Sequence, residues 1–81
     1  MSDRIATIDR VTKIFRDVFN DDDLNISEDT SATHVPGWDS FNHINLIMRI
    51  EEEFNITFEA REIGAMATVK DLVDLIEVKS T

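Results

Sequence analysis

Val35-Pro36-Gly37-Trp38-Asp39-Ser40-Phe41 places a helix breaker directly ahead of the uninterrupted run Asn42-His43-Ile44-Asn45-Leu46-Ile47-Met48-Arg49-Ile50-Glu51-Glu52-Glu53-Phe54. Pro36 and Gly37 do not continue a helix comfortably, so the boundary falls there. From Phe41 onward Ile44, Leu46, Ile47, Met48, Ile50 and Phe54 recur at helical spacing, which predicts a helix of about four turns. Ser40 then sits at or beside the N-terminus of that helix. Unpaired backbone N–H groups and the positive end of the macrodipole favour an anionic oxygen at such a place. The plainer alternative is that Asp39 or Ser40 serves as an ordinary N-cap.

The apolar members of this helix spread over about 220° of its wheel, wider than one neighbouring helix can cover. Either several elements bury the arc or a ligand or partner fills part of it, with ordinary core packing accounting for most of these residues. Phe41, Ile44, Ile47, Met48, Ile63 and Met66 are the candidate lining of an apolar pocket between this helix and the next. His43 and Glu51 interrupt the arc and mark its rim.

Upstream, Ile5, Ile8, Val11, Ile14, Phe15, Val18 and Phe19 stand three and four residues apart, predicting an amphipathic helix from about Asp3 to Phe19. Asn20 and three aspartates end it, because acidic groups are unfavourable at the negative end of a helix. The next periodic element begins only near Ser40. A connection of about twenty residues is long for a chain of this size and calls for anchors; Leu24, Ile26 and Val35 are the candidates. Downstream, Asn55-Ile56-Thr57-Phe58 alternates but has no partner strand and reads as an extended loop. Glu59 to Ile63 forms one short helix stopped at Gly64. Thr68-Val69-Lys70-Asp71 resembles a capping box with Asp for Glu. It opens a last helix with Val69, Leu72, Val73, Leu75 and Ile76 on its inner face. The fold class is therefore all-α: one domain over residues 1–81, a small four-helix bundle of three longer helices and one short one, with a long loop between the first two.

Eighty-one residues bury only roughly 60% of the unfolded surface, so stability is modest. With no cysteine the chain has no disulfide and no thiol of its own, and any thioester chemistry needs imported sulfur. Met1-Ser2-Asp3-Arg4 has no apolar signal core, and no apolar run approaches a membrane span. A cytoplasmic protein without membrane insertion is expected. Of the net charge of −9, a share of −8 lies in residues 21–54, where Asp21, Asp22, Asp23, Glu28, Asp29, Asp39, Glu51, Glu52 and Glu53 face Arg49 alone. This field repels nucleic acid and steers basic protein surfaces toward Ser40.

Other chemistries fail on spacing. Asp21, Asp23 and Asn25 match the start of a calcium loop, but Ile26 and Ala32 occupy the positions of its glycine and closing glutamate. A nucleophile elbow needs glycine two residues either side of Ser40, where Trp38 and Asn42 stand. His43 lies one turn after Ser40 without an evident acid to orient it. His34 and His43 alone make no metal site. No catalytic residue and no metal is expected.

The run Gly37-Trp38-Asp39-Ser40-Phe41, with Ile44, Leu46, Ile47, Met48 and Ile50-Glu51-Glu52-Glu53-Phe54-Asn55-Ile56 after it, resembles the acyl carrier protein family, whose attachment motif is Asp-Ser-Leu ahead of an acidic helix. The resemblance covers nearly the whole chain, through the Thr68-Val69-Lys70-Asp71-Leu72 helix start. It implies that Ser40 carries 4′-phosphopantetheine installed from coenzyme A by a phosphopantetheinyl transferase. It also implies a monomeric carrier that does no chemistry and delivers acyl thioesters to enzymes with basic surfaces. Asp39 would assist the transferase, and Asp39, Phe41, Met48, Glu51, Glu52 and Ile63 would form the docking face. Phe41 replaces the usual leucine, Asn42 and Asn45 stand where fatty-acid carriers are often acidic, and Arg49 adds a positive charge. These departures point to a dedicated carrier for a specialised acyl, polyketide-like, aminoacyl or envelope-modification pathway rather than central fatty-acid synthesis. Peptidyl carriers more often have paired glycines before the serine, so Trp38 and Asp39 favour the acyl branch, with an aminoacyl or peptidyl carrier as an alternative. The alternative from another class is a helical protein-interaction module in which Ser40 is only a cap.

Overall fold

The computed structural model describes residues 4–80. Four helices follow one another: α1 (Arg4–Val18), α2 (Ser40–Phe54), α3 (Ala60–Ala65) and α4 (Val69–Lys79). Asp3, proposed above as the start of the first helix, lies outside the described residues. Among the described residues the only extended pairing is an isolated antiparallel bridge between Ser31 and Thr68. The fold is the all-α bundle the periodicities predict.

Three α1 residues, Val11, Ile14 and Phe15, are buried against Leu46, Ile47 and Ile50 of α2 and Val69, Leu72, Val73 and Ile76 of α4. Thus α1 is the element on which both other long helices pack. Short α3 contributes no fully buried residue and lies over the others through half-buried Ile63 and its capping residue Met66.

Both α1 and α2 end on an asparagine in the left-handed conformation, Asn20 (φ 53°) and Asn55 (φ 55°). The N–H of Asp21 reaches back to Arg16 O at 3.0 Å, and that of Ile56 to Glu51 O at 3.2 Å. Each pair satisfies carbonyls that the last turn leaves open. The short helix departs from expectation. Gly64 lies inside α3, which runs to Ala65, and a capping box between Glu59 and Glu62 starts it. A glycine weakens a helix without forbidding it, and here it keeps helical backbone.

The long loop is held at both ends. The carbonyls of Glu28 and Thr30 accept the N–H groups of Lys70 and Val69, each at 2.9 Å, while Thr68 Oγ1 takes that of Asp71. The loop therefore supplies acceptors that the first turn of α4 lacks. Leu24 and Ile26 pack on the core and Val35 is buried, as expected. Trp38, which carries no periodic signal in the sequence, is 8% exposed and joins them. Its ring meets Phe15 edge-on at 5.2 Å and Phe19 at 6.4 Å. With so much of the loop packed inward, the radius of gyration is 11.6 Å, close to the ~12 Å of a well-folded chain of this length.

Candidate functional site

The start of α2 is built by a turn, a plug and a cap. Trp38 N–H bonds to Val35 O at 3.1 Å, with Pro36 and Gly37 in the corner positions and Gly37 at φ 90°. That is the geometry of a type II turn, which suits glycine at its third position. Trp38 inserts the end of the turn between Phe15 and Phe19, so the next residue has a fixed height on the bundle. Asp39 then caps the helix: its Oδ1 accepts Asn42 N–H at 2.9 Å, and its carbonyl accepts His43 N–H at 2.8 Å. Asn42 also donates its amide to Gly37 O at 2.7 Å, tying the helix back to the turn.

Ser40 is the first helical residue and is exposed. Because Asp39 does the capping, the Ser40 hydroxyl is not engaged in that role. The N–H groups of Ser40 and Phe41 find no acceptor among the described residues, in contrast to those of Val69 and Lys70 at the start of α4. An exposed hydroxyl beside two unclaimed N–H donors and the positive end of a 15-residue helix suits attachment of a phosphate.

A cleft of about 720 Å³ opens from this point between the loop, α2 and α3. It is lined by Ser31, Ala32, Thr33, Trp38, Asp39, Ser40, His43, Ile44, Ile63, Gly64, Met66 and Ala67. Of the six residues proposed to line a pocket, it brings together Ile44, Ile63 and Met66. It does not include Phe41, Ile47 or Met48. Phe41 is 75% and Met48 56% exposed because both point away from the seam, whereas Ile47 is sealed in the core. Ile44, 48% exposed, spans the rim.

The docking candidates divide similarly. Asp39, Phe41, Met48 and Glu52 are exposed and Ile63 is half-buried. Glu51 is half-buried, and its Oε2 accepts Phe58 N–H at 2.8 Å and holds the loop after α2. Arg49 pairs with Asp17 of α1 and Arg10 with Glu53 at 2.8 Å, so each arginine offsets one carboxylate. That contact and the neighbouring acids raise the Arg49 guanidinium above its ordinary value.

Sequence reading missed what His43 does. Trp38 Nε1–H donates to His43 Nδ1 at 3.0 Å, and His43 Nε2 lies 3.0 Å from Ile63 O. The indole only donates and the carbonyl only accepts, so Nδ1 is the acceptor and Nε2 the donor of this pair of bonds. The i, i+5 spacing of Trp38 and His43 was the available signal, but it becomes a contact only because the turn folds the indole back over α2. His34 bonds within the loop, accepting Ser31 N–H at Nδ1. Asp21 and Asn25 bond locally too, to Asp23 N–H and to Arg16.

The sequence profile of the phosphopantetheine attachment site family matches residues 9–76. The chain is 30% identical over 73 residues to an acyl carrier protein of Wolinella succinogenes, covering 90% of this chain and 96% of that one. It is 32% identical over 72 residues to acyl carrier protein 5, chloroplastic, of Arabidopsis thaliana, covering 88% of this chain and 51% of the relative. The chain spans about half the length of the chloroplastic relatives it matches. The solution structure of a holo acyl carrier protein from Geobacter metallireducens superimposes with a TM-score of 0.84 at 41% identity, covering 90% of this chain and 84% of that one.

Proposed function

Because the chain belongs to the acyl carrier protein family, whose members are non-catalytic carriers with a covalent 4′-phosphopantetheine, we propose that it carries acyl groups on such an arm attached at Ser40. When bound, the arm supplies the thiol that a chain without cysteine lacks. The observation that carries the assignment is the division of labour at the start of α2: Asp39 caps, leaving the Ser40 hydroxyl outward beside two N–H groups without acceptors.

The same reading assigns installation to a phosphopantetheinyl transferase. Asp39 contributes by holding the first turn in shape, and its carboxylate adds negative charge next to the hydroxyl. Partner enzymes would dock with basic surfaces on Asp39, Phe41, Met48 and Glu52, beside Ile63. Half-buried Glu51 stays in this group, with one carboxylate oxygen taken by Phe58 N–H. Such contacts should be weak and salt-sensitive, since a shuttle must leave each enzyme quickly.

Phe41, Asn42, Asn45 and the Arg49–Asp17 pair make this face less acidic and more aromatic than a run of carboxylates would be. That supports a dedicated carrier for a specialised acyl pathway rather than central fatty-acid synthesis. We place it in the cytoplasm as a single domain; no described helix is long and apolar enough to cross a membrane.

Incubation with coenzyme A, magnesium and a phosphopantetheinyl transferase should add the mass of one phosphopantetheine to the wild type and nothing to Ser40→Ala. Addition that persists in Ser40→Ala would refute the site.

A further inference from the structure

The cleft beside Ser40 is crossed by a hydrogen-bond chain that an ordinary apolar groove lacks. Trp38 in the loop, His43 in α2 and Ile63 in α3 are linked through the imidazole, with both bonds at 3.0 Å. His43 is one turn after the helix start, and Ile47 follows it by four residues on the same face of α2. A chain running from Ser40 down the seam between α2 and α3 must therefore pass His43 before reaching Ile47. Ile47 is only 2% exposed.

We propose that the Trp38–His43–Ile63 hydrogen-bond chain is a bolt across the α2–α3 seam that limits the length of acyl group the cleft accepts, making His43 a specificity-determining residue. The inference rests on attachment at Ser40. Short acyl groups lie over Ile44 and Met66 in the open part of the cleft. A longer aliphatic tail can go deeper only by separating α3 from α2. That would break the bond between His43 Nε2–H and Ile63 O and leave the carbonyl only its 3.4 Å bond from Met66 N–H, and hydrocarbon offers the imidazole no acceptor in exchange. The bolt is held in place: Trp38 is wedged against Phe15, and its ring lies within 27° of the imidazole plane, the near-coplanar arrangement that an indole N–H to Nδ1 bond requires. Long tails therefore stay outside, exposed to solvent or to a partner enzyme.

The test is to load wild type and His43→Leu from butyryl-, octanoyl- and palmitoyl-coenzyme A with a transferase, check each product by intact mass, and measure its melting temperature. Leucine fills similar space and removes both bonds; His43→Thr is the second variant should the leucine form not fold. In the wild type the octanoyl and palmitoyl forms should melt with the butyryl form, and the Trp38 indole N–H resonance should not move with tail length. In the variant the octanoyl form should melt at least about 5 °C above the butyryl form, because its tail becomes buried. A wild type that gains stability with tail length as the variant does, or a Trp38 indole resonance that shifts with longer tails, overturns the bolt while leaving attachment intact. No mass gain on any form overturns the attachment and the bolt together.

Discussion

At residue 39 the competition between two capping residues is resolved, and function follows from which one wins. Asp and Ser are comparably good N-caps, so their order alone does not say which hydroxyl or carboxylate faces the helix. Asp39 takes the role because the turn made by Gly37 at φ 90° closes at Trp38, one residue before it. A β-carbon at Gly37 would meet only ordinary contacts, Phe19 Cδ1 at 3.8 Å and Asn42 Nδ2 at 3.9 Å. Strain in Gly37→Ala is thus conformational rather than steric crowding, and the variant should lose roughly 1–2 kcal/mol in urea unfolding. Gly64 is the opposite case, with helical backbone and nothing within 4 Å of an added β-carbon. Gly64→Ala should gain roughly 0.5–1 kcal/mol in the same assay. The residue pattern made Ser40 legible as a helix start next to an acidic field. It did not reveal the burial of Trp38 or the double engagement of His43, because a loop aromatic has no period to announce it.

Among the elements, α4 and the long loop depend on one another. Thr68 and Asp71 form the expected box, while Glu28 and Thr30 supply the remaining acceptors. Thr68→Ala should cost about 1 kcal/mol and lower the melting temperature by about 4–8 °C. The N–H of Ala67, then that of Thr68, holds the Asp71 carboxyl below its ordinary 3.8, with burial acting against them. A folded value below the unfolded one gives stability that is present above the unfolded value and lost as pH falls through the folded one. The advantage of wild type over Asp71→Asn in thermal melts should therefore be full near neutrality and shrink from about pH 5 downward. The helices themselves were legible from spacing. The end of α3 was not, since a glycine in a short helix can either stop it or be carried within it. The loop's hold on α4 was also hidden, because backbone acceptors have no sequence signature.

Taken whole, the molecule combines a small core with concentrated negative charge. Among the described residues thirteen buried apolar side chains form one cluster, while exposed carboxylates surround the start and end of α2. Arg4 counters part of that charge by bridging Glu28 of the loop to Asp74 and Glu77 of α4, and these contacts raise its guanidinium above the usual value, the Glu28 hydrogen bond first. The residual self-repulsion should be relieved by screening, so the melting temperature should climb over a salt titration. A flat titration would remove repulsion from the account. The sequence made the architecture and the charge asymmetry readable because both are sums over many residues. The cleft beside Ser40 was only half readable: wheel position identifies apolar faces but not which of them the short helix covers, hence the absence of Phe41, Ile47 and Met48 from its lining. The most direct test of the central claim is peptide mapping by tandem mass spectrometry of the chain purified from its native host. A phosphopantetheine adduct on Ser40 is the predicted result; an unmodified Ser40 in cells with an active transferase, or an adduct on another residue, would contradict it.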